Sequence, residues 1–317
     1  MKKIVFLDEY SICGGDMSAV KALGDYTGYD TTAPQQIAER CRGAEIVIAN
    51  KTVLDAATIG RLPDLRLICV AATGMNNVDL AAAAERGISV RNAVGYSTDS
   101  VAEATMGAAL ALLRETAYYD EFFKSGRYAT ADRIFCFDRP TAQLCGRRWG
   151  VIGMGNIGRR VADLASAFGC RVAYASTSGV ERKENYPALP IAELLAESDV
   201  VSVHCPLNDR TRGLIGAAEL ASMKPSAIII NVARGGIIDE TALAAALDDG
   251  VIRGAALDVF TSEPLRTSPL YSLKDPYKLL ASPHNAWSSV EAIDRLIECV
   301  AQNIADFIGG EHELLKK

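Results

Sequence analysis

Residues 149–168 read Trp-Gly-Val-Ile-Gly-Met-Gly-Asn-Ile-Gly-Arg-Arg-Val-Ala-Asp-Leu-Ala-Ser-Ala-Phe, and this stretch decides the fold. It predicts a short apolar strand, a Gly-x-Gly-x-x-Gly turn and an amphipathic helix in direct succession. In such a turn the first glycine permits a tight bend, the second lets a phosphate approach the bare backbone, and the third lets the helix pack closely on the strand. The helix N-terminus then faces the anion. The stretch therefore predicts a dinucleotide-binding βα unit, although a βα turn without a ligand has a similar sequence.

The rest of the chain repeats this alternation of short strands and helices. Its 317 residues are enough for two domains of ordinary size. Hydrophobic residues make up 49% and aromatic residues only 7%, a balance typical of helices packed on parallel strands. We therefore predict an α/β protein with parallel sheets. Its strands are expected at residues 3–8, 45–49, 67–71, 88–91, 149–153, 171–174, 200–204, 227–232, 255–259 and 278–281, and its principal helices at residues 98–114, 156–168, 239–248 and 288–307.

Charge and cysteine content exclude several classes of protein. The formal net charge is −6, and a nucleic-acid-binding protein needs a basic patch, so we expect no nucleic-acid partner. The eight cysteines form no Cys-x-x-Cys pair and the chain has three histidines, so we expect no metal site and a reducing, cytoplasmic location. The apolar run of residues 4–7 is too short for a signal peptide or a membrane span, and it predicts the first strand.

The residues after the second strand of the dinucleotide-binding unit bear on the choice of cofactor. An Asp or Glu usually lies about 20 residues beyond the glycine turn, where it binds the 2′-hydroxyl of the adenosine ribose. Here Tyr174 is followed by Ala-Ser-Thr-Ser-Gly, without a carboxylate. The hydroxyl groups of residues 176–178 and the charge of Arg182 or Lys183 suit a 2′-phosphate instead. We therefore expect NADPH to be accepted; the alternative is that Arg182 and Lys183 are solvated and NADH serves equally well.

Polar residues follow three later strands, at the edge of the sheet where ligands bind in open α/β folds. Arg234, Glu263 and His284 each come a few residues after an apolar run. An arginine presents a fork that matches a carboxylate, and a histidine exchanges a proton near neutral pH. A neighbouring carboxylate favours the protonated imidazole and orients the ring. Singly, each is more often a structural residue; together, beside a dinucleotide loop, they predict a catalytic site.

Several motifs resemble, in sequence and in order, those of the D-2-hydroxyacid dehydrogenase family, and the resemblance extends over nearly the whole chain. Residues 71–79 resemble the family's substrate loop, and residues 100–103 resemble the start of its interdomain helix. The other motifs are Gly153-Met-Gly155-Asn-Ile-Gly158, His204-Cys-Pro206-Leu-Asn-Asp-Arg-Thr211, Asn231-Val-Ala-Arg234-Gly235, Ala256-Leu-Asp258-Val-Phe-Thr-Ser-Glu263-Pro264 and Pro283-His284-Asn-Ala-Trp287.

The resemblance implies two doubly wound parallel-sheet domains. The flavodoxin-like substrate domain is formed by residues 1–100 and 286–317, and the NAD(P)-binding Rossmann domain, residues 101–285, is inserted between them. The active site then lies in a cleft whose closure excludes water. The family is usually a homodimer that packs its cofactor domains together. Residues 101–113 and 118–128 are candidate surfaces for this contact; the alternative is that the first of these stretches is intrachain core.

The resemblance also implies a role for each site residue. Arg234 anchors the carboxylate of the substrate and polarises its 2-oxo group, His284 is the general acid or base, and Glu263 orients His284. Gly74 and Met75 hold the carboxylate through their backbone. Trp287 narrows the substrate pocket, or else is an interface or core aromatic. The implied cofactor contacts are Gly153, Gly155, Asn156, Ile157, Gly158, Ser176, Thr177, His204, Pro206, Thr211, Val232, Ala233 and Asp258, the last of them with the nicotinamide amide.

The reaction expected from this set is hydride transfer between NAD(P)(H) and a small D-2-hydroxy or 2-oxo acid. The run His284-Asn-Ala-Trp287 is similar to members of the family that act as glycerate dehydrogenases or hydroxypyruvate reductases. Hydroxypyruvate or glyoxylate is therefore the expected substrate. The alternative is a sensor or corepressor without catalytic activity that binds a dinucleotide on the same fold.

Overall fold

The computed structural model of the protein describes residues 1–179, residues 183–310 and the backbone of residues 315–316. Arg182, one of the two cations expected near the ribose, lies outside these residues. The chain divides into two compact units: one consists of Met1–Ser97 and Ser288–Lys317, and the other of Thr98–Trp287. Each unit is an α/β structure built on a parallel sheet, which confirms the predicted fold class. That the first unit binds the substrate stays a prediction.

The first unit has, in its described part, a sheet of strand order β12-β5-β4-β3-β1-β2 with every pair parallel. The run β2-β1-β3-β4-β5 is the flavodoxin-like order. Elements are numbered in chain order. The strands are β1 (Lys3–Phe6), β2 (Asp25–Gly28), β3 (Ile46–Ala49), β4 (Leu67–Val70), β5 (Ser89–Asn92) and β12 (Leu315–Lys316), and the helices are α1 (Ser18–Lys21), α2 (Ile37–Arg40), α3 (Ala56–Gly60), α4 (Leu80–Glu85) and α11 (Val290–Ile308).

Helix α11 covers one face of this sheet although it comes near the end of the chain. Ser289 caps it, since its hydroxyl accepts a hydrogen bond from the backbone N–H of Ala292 at 3.2 Å. Its apolar residues recur three or four positions apart, so that they form one stripe along the helix. The buried members of the stripe are Ala292, Ile293, Leu296, Ile297, Val300, Ile304 and Phe307.

The second unit has, in its described part, a sheet of strand order β11-β10-β9-β8-β6-β7, again parallel throughout. An isolated parallel bridge from Tyr174 to Ala188 stands beyond β7, in the place of the third strand of the Rossmann order. The strands are β6 (Arg148–Ile152), β7 (Arg171–Ala175), β8 (Val200–Val203), β9 (Ile228–Asn231), β10 (Gly254–Leu257) and β11 (Leu279–Ala281), and the helices are α5 (Thr98–Leu113), α6 (Thr116–Lys124), α7 (Asn156–Ala167), α8 (Ile191–Glu197), α9 (Ala217–Ser222) and α10 (Glu240–Asp248).

Both faces of this second sheet are covered by helices. One face packs with α5 and α7 around the fully buried Trp149, whose indole N–H donates to the hydroxyl of Ser202 at 2.8 Å. The other face packs with the apolar residues of α8, α9 and α10. Because β6 lies between β7 and β8, the strand order reverses beside it, and the turn after β6 stands at the switch point where open α/β sheets bind ligands.

The helices in the described part of the chain include none with both the length and the apolar character needed to cross a membrane.

Candidate active site

The glycine turn after β6 has the shape that the sequence predicted. Gly153 has a φ of +97°, and a Cβ atom there would lie 2.7 Å from the backbone nitrogen of Cys205. A Cβ atom at Gly158 would lie 2.1 Å from the carbonyl oxygen of Gly153, so any side chain would push α7 off the turn. Gly155, in contrast, faces open space, with no atom within 4 Å of a Cβ placed there.

The exposed backbone at the start of α7 therefore fits a pyrophosphate. Gly155 and Asn156 are exposed, while Ile157 is half-buried and Gly158 is buried against the strand. Helix α7 begins at Asn156, and its first N–H groups have no partner within the helix. These N–H groups and the helix dipole favour an anion at this position.

His204, directly after β8, is half-buried and lies close to this turn. Its backbone N–H donates to the carbonyl of Ile152 at 2.8 Å. Both ring nitrogens are inaccessible to solvent and have no hydrogen-bond partner among the described residues. Burial lowers the pKa of His204 to about 3, so the ring is neutral at physiological pH. Leaving a buried imidazole nitrogen without a hydrogen-bond partner costs free energy, and a nucleotide is the kind of group that could supply the partner.

Two hydroxyl groups of the loop after β7 lie near a cation that sequence reasoning missed. The side-chain oxygens of Ser176 and Ser178 lie 3.2 Å apart on the surface. Thr177, between them, is half-buried. Arg210, from the loop after β8, donates to the carbonyl of Ser178 at 3.1 Å. Arg210 lies 32 residues from Ser178 in sequence, so this contact could not be predicted from a local pattern. The lack of a carboxylate near Ala175 indicated only that a phosphate could be accepted there.

The loop that carries Arg210 is held by Thr211. The Thr211 side chain is fully buried, and its hydroxyl donates to the carbonyl of Pro206 at 2.6 Å and accepts from the backbone N–H of Asn208 at 2.8 Å. Thr211, expected to contact the cofactor, is thus occupied within its own loop. Pro206 is exposed on the same loop, where a cofactor contact stays a prediction.

The turn after β9 carries Arg234 and is fixed by a buried amide. Asn231, only 1% exposed, donates to the carbonyl of Arg234 at 2.9 Å and accepts from the backbone N–H of Ala233 at 3.0 Å. The Arg234 guanidinium donates to the carbonyl of Ala233 at 2.7 Å and has further N–H groups to offer. Val232 and Ala233, expected to line the cofactor, pack partly on the cores of the two sheet faces.

Gly235 brings this turn against the loop that carries Glu263. A Cβ atom at Gly235 would lie 1.9 Å from the carbonyl carbon and oxygen of Phe260, so that only glycine fits. The backbone N–H of Phe260 donates to Oε1 of Glu263 at 2.9 Å. The turns after β9 and β10 are therefore in contact, and one oxygen of Glu263 is used to hold its own loop.

The other oxygen of Glu263 binds His284. The distance from Oε2 to Nδ1 of His284 is 2.6 Å, and the two side chains are 35% and 24% exposed. His284 has a φ of +56°, which is uncommon for a residue other than glycine. Its backbone N–H donates to the carbonyl of Asp258 at 2.7 Å, which holds the chain in that turn. The pair that the sequence predicted is thus formed, with Nε2 of the imidazole left for other partners.

Asp258 stabilises the His284 turn through hydrogen bonds. Its carboxylate, 3% exposed, accepts hydrogen bonds from the Ser282 hydroxyl at 2.6 Å and from the backbone N–H groups of Asn285 and Ala286, each at 2.9 Å. Three of the roughly four acceptor positions of a carboxylate are therefore occupied. The structure gives Asp258 a role in shaping the turn, and its contact with the nicotinamide stays a prediction.

Trp287 also stabilises this turn. Its indole N–H donates to the carbonyl of His284 at 2.9 Å, and the side chain is half-buried. This contact indicates a third role for Trp287, in addition to the two considered from the sequence, a wall of the substrate pocket and an aromatic of the core or an interface. Trp287 thus helps to fix the backbone of His284.

Gly74 and Met75 lie in the first unit, in the loop after β4. Met75 packs partly on the core of that unit, and its carbonyl accepts from the backbone N–H of Val78 at 3.0 Å. The loop stands at the carboxyl end of its sheet, where ligands bind in this architecture.

The site in the second unit therefore combines an arginine fork, an imidazole bonded to a carboxylate and a nucleotide cradle at successive strand ends. A model of the NAD binding domain of D-isomer specific 2-hydroxyacid dehydrogenases matches residues 106–286. The chain is 37% identical to a glycerate dehydrogenase of Methylorubrum extorquens, with 98% of this chain and 97% of that protein covered. It is 33% identical to a hydroxypyruvate reductase of Blautia hydrogenotrophica, with 97% of each covered.

A solved structure agrees with these sequence relatives. The chain superposes on an NADPH-dependent glyoxylate/hydroxypyruvate reductase of Sinorhizobium meliloti with a TM-score of 0.85 and 25% identity, over 98% of this chain and 96% of the other. The match to the family extends over both units and includes the strand ends described above. The chain therefore belongs to the D-isomer specific 2-hydroxyacid dehydrogenases and is an oxidoreductase that uses a nicotinamide dinucleotide.

Proposed function

We propose that the chain interconverts hydroxypyruvate or glyoxylate and the corresponding D-2-hydroxy acid, D-glycerate or glycolate. The observation that carries this proposal is the 2.6 Å contact between Glu263 and His284, beside the Arg234 turn and the nucleotide cradle. The named relatives, a glycerate dehydrogenase and a hydroxypyruvate reductase, support these short acids over bulkier ones.

Different side chains bind the substrate and transfer the proton during the reduction. Arg234 binds the substrate carboxylate and polarises the 2-oxo oxygen, since a guanidinium matches a carboxylate with two N–H groups. When bound, the reduced nicotinamide supplies a hydride to C2. His284 then donates a proton to the resulting alkoxide oxygen. Because Nδ1 is bonded to Glu263, Nε2 is the nitrogen that donates, and in oxidation the same nitrogen accepts the proton.

The cofactor would be held along the strand ends of the second unit. The backbone from Gly153 to Gly158 suits the pyrophosphate, His204 and Pro206 suit the adenosine, and Asp258 suits the nicotinamide end through its remaining acceptor position. We propose that NADPH is accepted, because no carboxylate follows Tyr174 within residues 175–179 and the S. meliloti relative uses NADPH. The backbone of Gly74 and Met75 would bind the substrate carboxylate as a second set of donors.

A panel of 2-oxo acids with NADH and with NADPH tests this function. We expect the highest kcat/KM for hydroxypyruvate or glyoxylate, and measurable turnover with NADPH. Preference for phenylpyruvate or pyruvate would contradict the substrate, and a tenfold preference for NADH would contradict the cofactor. Tight cofactor binding without turnover of any acid would contradict the enzymatic proposal as a whole.

Arg234→Ala provides the matching test of the site. Loss of a charged hydrogen-bonding fork should lower kcat/KM by at least about 10²-fold, through both a higher KM and a lower kcat. Arg212→Ala, an exposed arginine on another loop of the unit, is the control and should leave both constants close to those of the unmodified protein.

We also propose that the second unit forms a homodimer through an exposed aromatic surface. The stripe of α5 expected as a candidate interface, including Val101, Met106 and Leu113, is buried within the unit and is core. The segment after it is different: large apolar side chains there are 41–84% exposed, and such a surface usually marks an interface. They are Phe123, Tyr128, Ile134, Phe135 and Phe137.

The double variant Phe135→Asp with Phe137→Asp tests the dimer. We expect light scattering after size-exclusion chromatography to show a monomer, because two buried charges in an interface are not tolerated. Val53→Asp, also an exposed apolar residue but in the first unit, is the control and should stay dimeric. A monomeric unmodified protein would contradict the proposal.

The eight cysteines, none of them in a disulfide, support a reducing, cytoplasmic location.

A further inference from the structure

The end of β7 is a polar corner built from two loops. The loop after β7 brings the hydroxyls of Ser176 and Ser178 to within 3.2 Å of each other, and all the residues from Ser176 to Gly179 except Thr177 are exposed. Ala175, the last residue of β7, carries no charge where an adenosine-binding carboxylate would otherwise stand. The corner therefore offers hydrogen-bond donors without a negative charge in the segment 175–179.

Arg210 reaches this corner from the neighbouring loop. One of its guanidinium nitrogens, Nη1, lies 3.1 Å from the carbonyl oxygen of Ser178. The same nitrogen would lie 3.2 Å from a Cβ atom at Gly179, which has a φ of +70°, so a larger residue at position 179 would crowd the guanidinium. The segment around Arg210 is fixed as well, because Asn208 accepts a hydrogen bond from its backbone N–H at 2.9 Å.

The charge of Arg210 is not neutralised by an ion pair among the described residues. One bond to a carbonyl uses one of the five N–H groups of a guanidinium and leaves the others to a ligand. Arg159, on the first turn of α7, differs in this respect, since it is bonded to both oxygens of Glu184 at 2.7 and 2.9 Å. Arg210 is therefore a cation at this corner with N–H groups that can bind an anion.

We propose that Arg210, together with the hydroxyls of Ser176 and Ser178, binds the 2′-phosphate of NADPH and so determines cofactor specificity. This inference rests on the proposed acceptance of NADPH and names the residue responsible for it. A guanidinium beside two hydroxyl groups is a strong combination for a phosphate dianion. The sequence predicted Arg182 or Lys183 for this charge, whereas we assign it to Arg210, on the loop after β8.

Binding of 2′,5′-ADP and 5′-AMP, which differ only in the 2′-phosphate, tests the proposal without turnover. Isothermal titration calorimetry on the full chain should show tighter binding of 2′,5′-ADP. In Arg210→Ala this preference should fall about 10- to 100-fold, as expected for the loss of hydrogen bonds to a charged group, while 5′-AMP binding stays nearly constant. Arg210→Lys should retain part of the preference, because the charge remains but the fork does not.

Matched variants distinguish this role from neighbouring ones. Arg212→Ala and Lys183→Ala remove exposed charges on the two loops and should leave the preference for 2′,5′-ADP unchanged. Equal loss of both nucleotides in Arg210→Ala would show that Arg210 shapes the loop, and an unchanged preference would place the phosphate elsewhere; either result overturns the proposal. If the unmodified protein binds the two nucleotides equally, the proposed use of NADPH itself fails.

Discussion

At the scale of single residues, the site depends on how His284 is held. Its imidazole is bonded to Glu263, its backbone N–H to Asp258 and its carbonyl to Trp287. These three contacts fix a backbone conformation with φ of +56° that the residue rarely adopts on its own. The direction in which Nε2 points is therefore set by buried and half-buried groups, and a substitution at any of them should act through His284.

Glu263→Gln is predicted to impair proton donation more than substrate binding. The amide removes the negative charge that stabilises the protonated imidazole, so kcat for reduction should fall about 10²-fold with little change in KM. Steady-state kinetics of the unmodified and variant proteins at a single pH check this.

Glu240→Gln is the control for that experiment. Glu240 accepts a hydrogen bond from the backbone N–H of Thr261 at 2.6 Å, on the same loop as Glu263. Its carboxylate is not bonded to His284, so kcat of this variant should match that of the unmodified protein. The same fall of kcat in both variants would mean that loop position, and not the charge of Glu263, is responsible.

His204 makes stability depend on pH in a predictable direction. Burial lowers its pKa to about 3 in the folded chain, against about 6.5 when unfolded. Between these values the unfolded chain binds a proton that the folded chain does not, so stability falls as pH decreases from about 6.5. The contribution of this one group is at most about 1.4 kcal/mol per pH unit.

His204→Gln should therefore lose less stability on acidification than the unmodified protein. Urea denaturation at pH 7.5 and pH 5.5, without cofactor, compares the two proteins. We expect the difference in unfolding free energy between the two pH values to be smaller in the variant. An equal difference in both would show that His204 takes up a proton in the folded state as readily as in the unfolded one.

At the scale of elements, the sequence predicted the strands whose residues are mostly apolar. Four such strands are fully buried and consist mostly of β-branched residues: β3, β4, β8 and β9. They could be found without an alternation of apolar and polar residues, because both faces of a parallel sheet are buried. β2 was missed because it is an edge strand that reads Asp-Tyr-Thr-Gly and lies partly exposed. Its pairing with β1 comes from the tertiary fold and not from local preference.

The loops between elements were harder to predict than the elements. The motif around His284 indicated its partner Glu263, since both belong to a recognisable pattern. Arg210 has no such pattern, because its place beside Ser178 depends on how two loops from different strands come together. The bonds that Asp258 and Thr211 make to their own loops were missed for the same reason: a motif identifies a residue but not which of its atoms are already occupied.

Gly235→Ala tests whether contact between the turns after β9 and β10 is required. The added methyl group would overlap the Phe260 carbonyl, and one of the two turns must move. We expect kcat to fall and stability to decrease by about 1–3 kcal/mol, as for other overpacked sites. Gly60→Ala is the control, since a Cβ there meets open space at the end of α3. Activity assays and thermal melts measure both effects; unimpaired activity in Gly235→Ala would contradict the requirement.

At the scale of the whole molecule, the division into two units predicts how fragments behave. Residues 98–287 contain a complete sheet with both faces covered, so this fragment should fold alone and melt cooperatively. Residues 1–97 lack α11. Its six large buried side chains contribute about 1.5–3 kcal/mol each, which is comparable with the whole stability of a domain, so this fragment should not fold.

Circular dichroism and thermal melting of three fragments check this prediction. The third fragment joins residues 1–97 to residues 288–317 through a short glycine–serine linker and should regain cooperative folding. Such a linker suits the structure because Nε of Arg295 donates to the carbonyl of Tyr96 at 2.9 Å, close to both cut ends. A cooperative transition in residues 1–97 alone would contradict the role given to α11.

The discontinuity of the first unit also sets an order of events on the ribosome. Strands β1 to β5 emerge first, yet the helix that covers them is synthesised only after the entire second unit. At about 5–20 residues per second, the nascent strands wait roughly 10–40 s for that helix. The inserted unit can complete its own sheet during this interval. The strands that leave the exit tunnel before the inserted unit are therefore expected to reach their native state after it, and in the meantime they are exposed to chaperones and to aggregation.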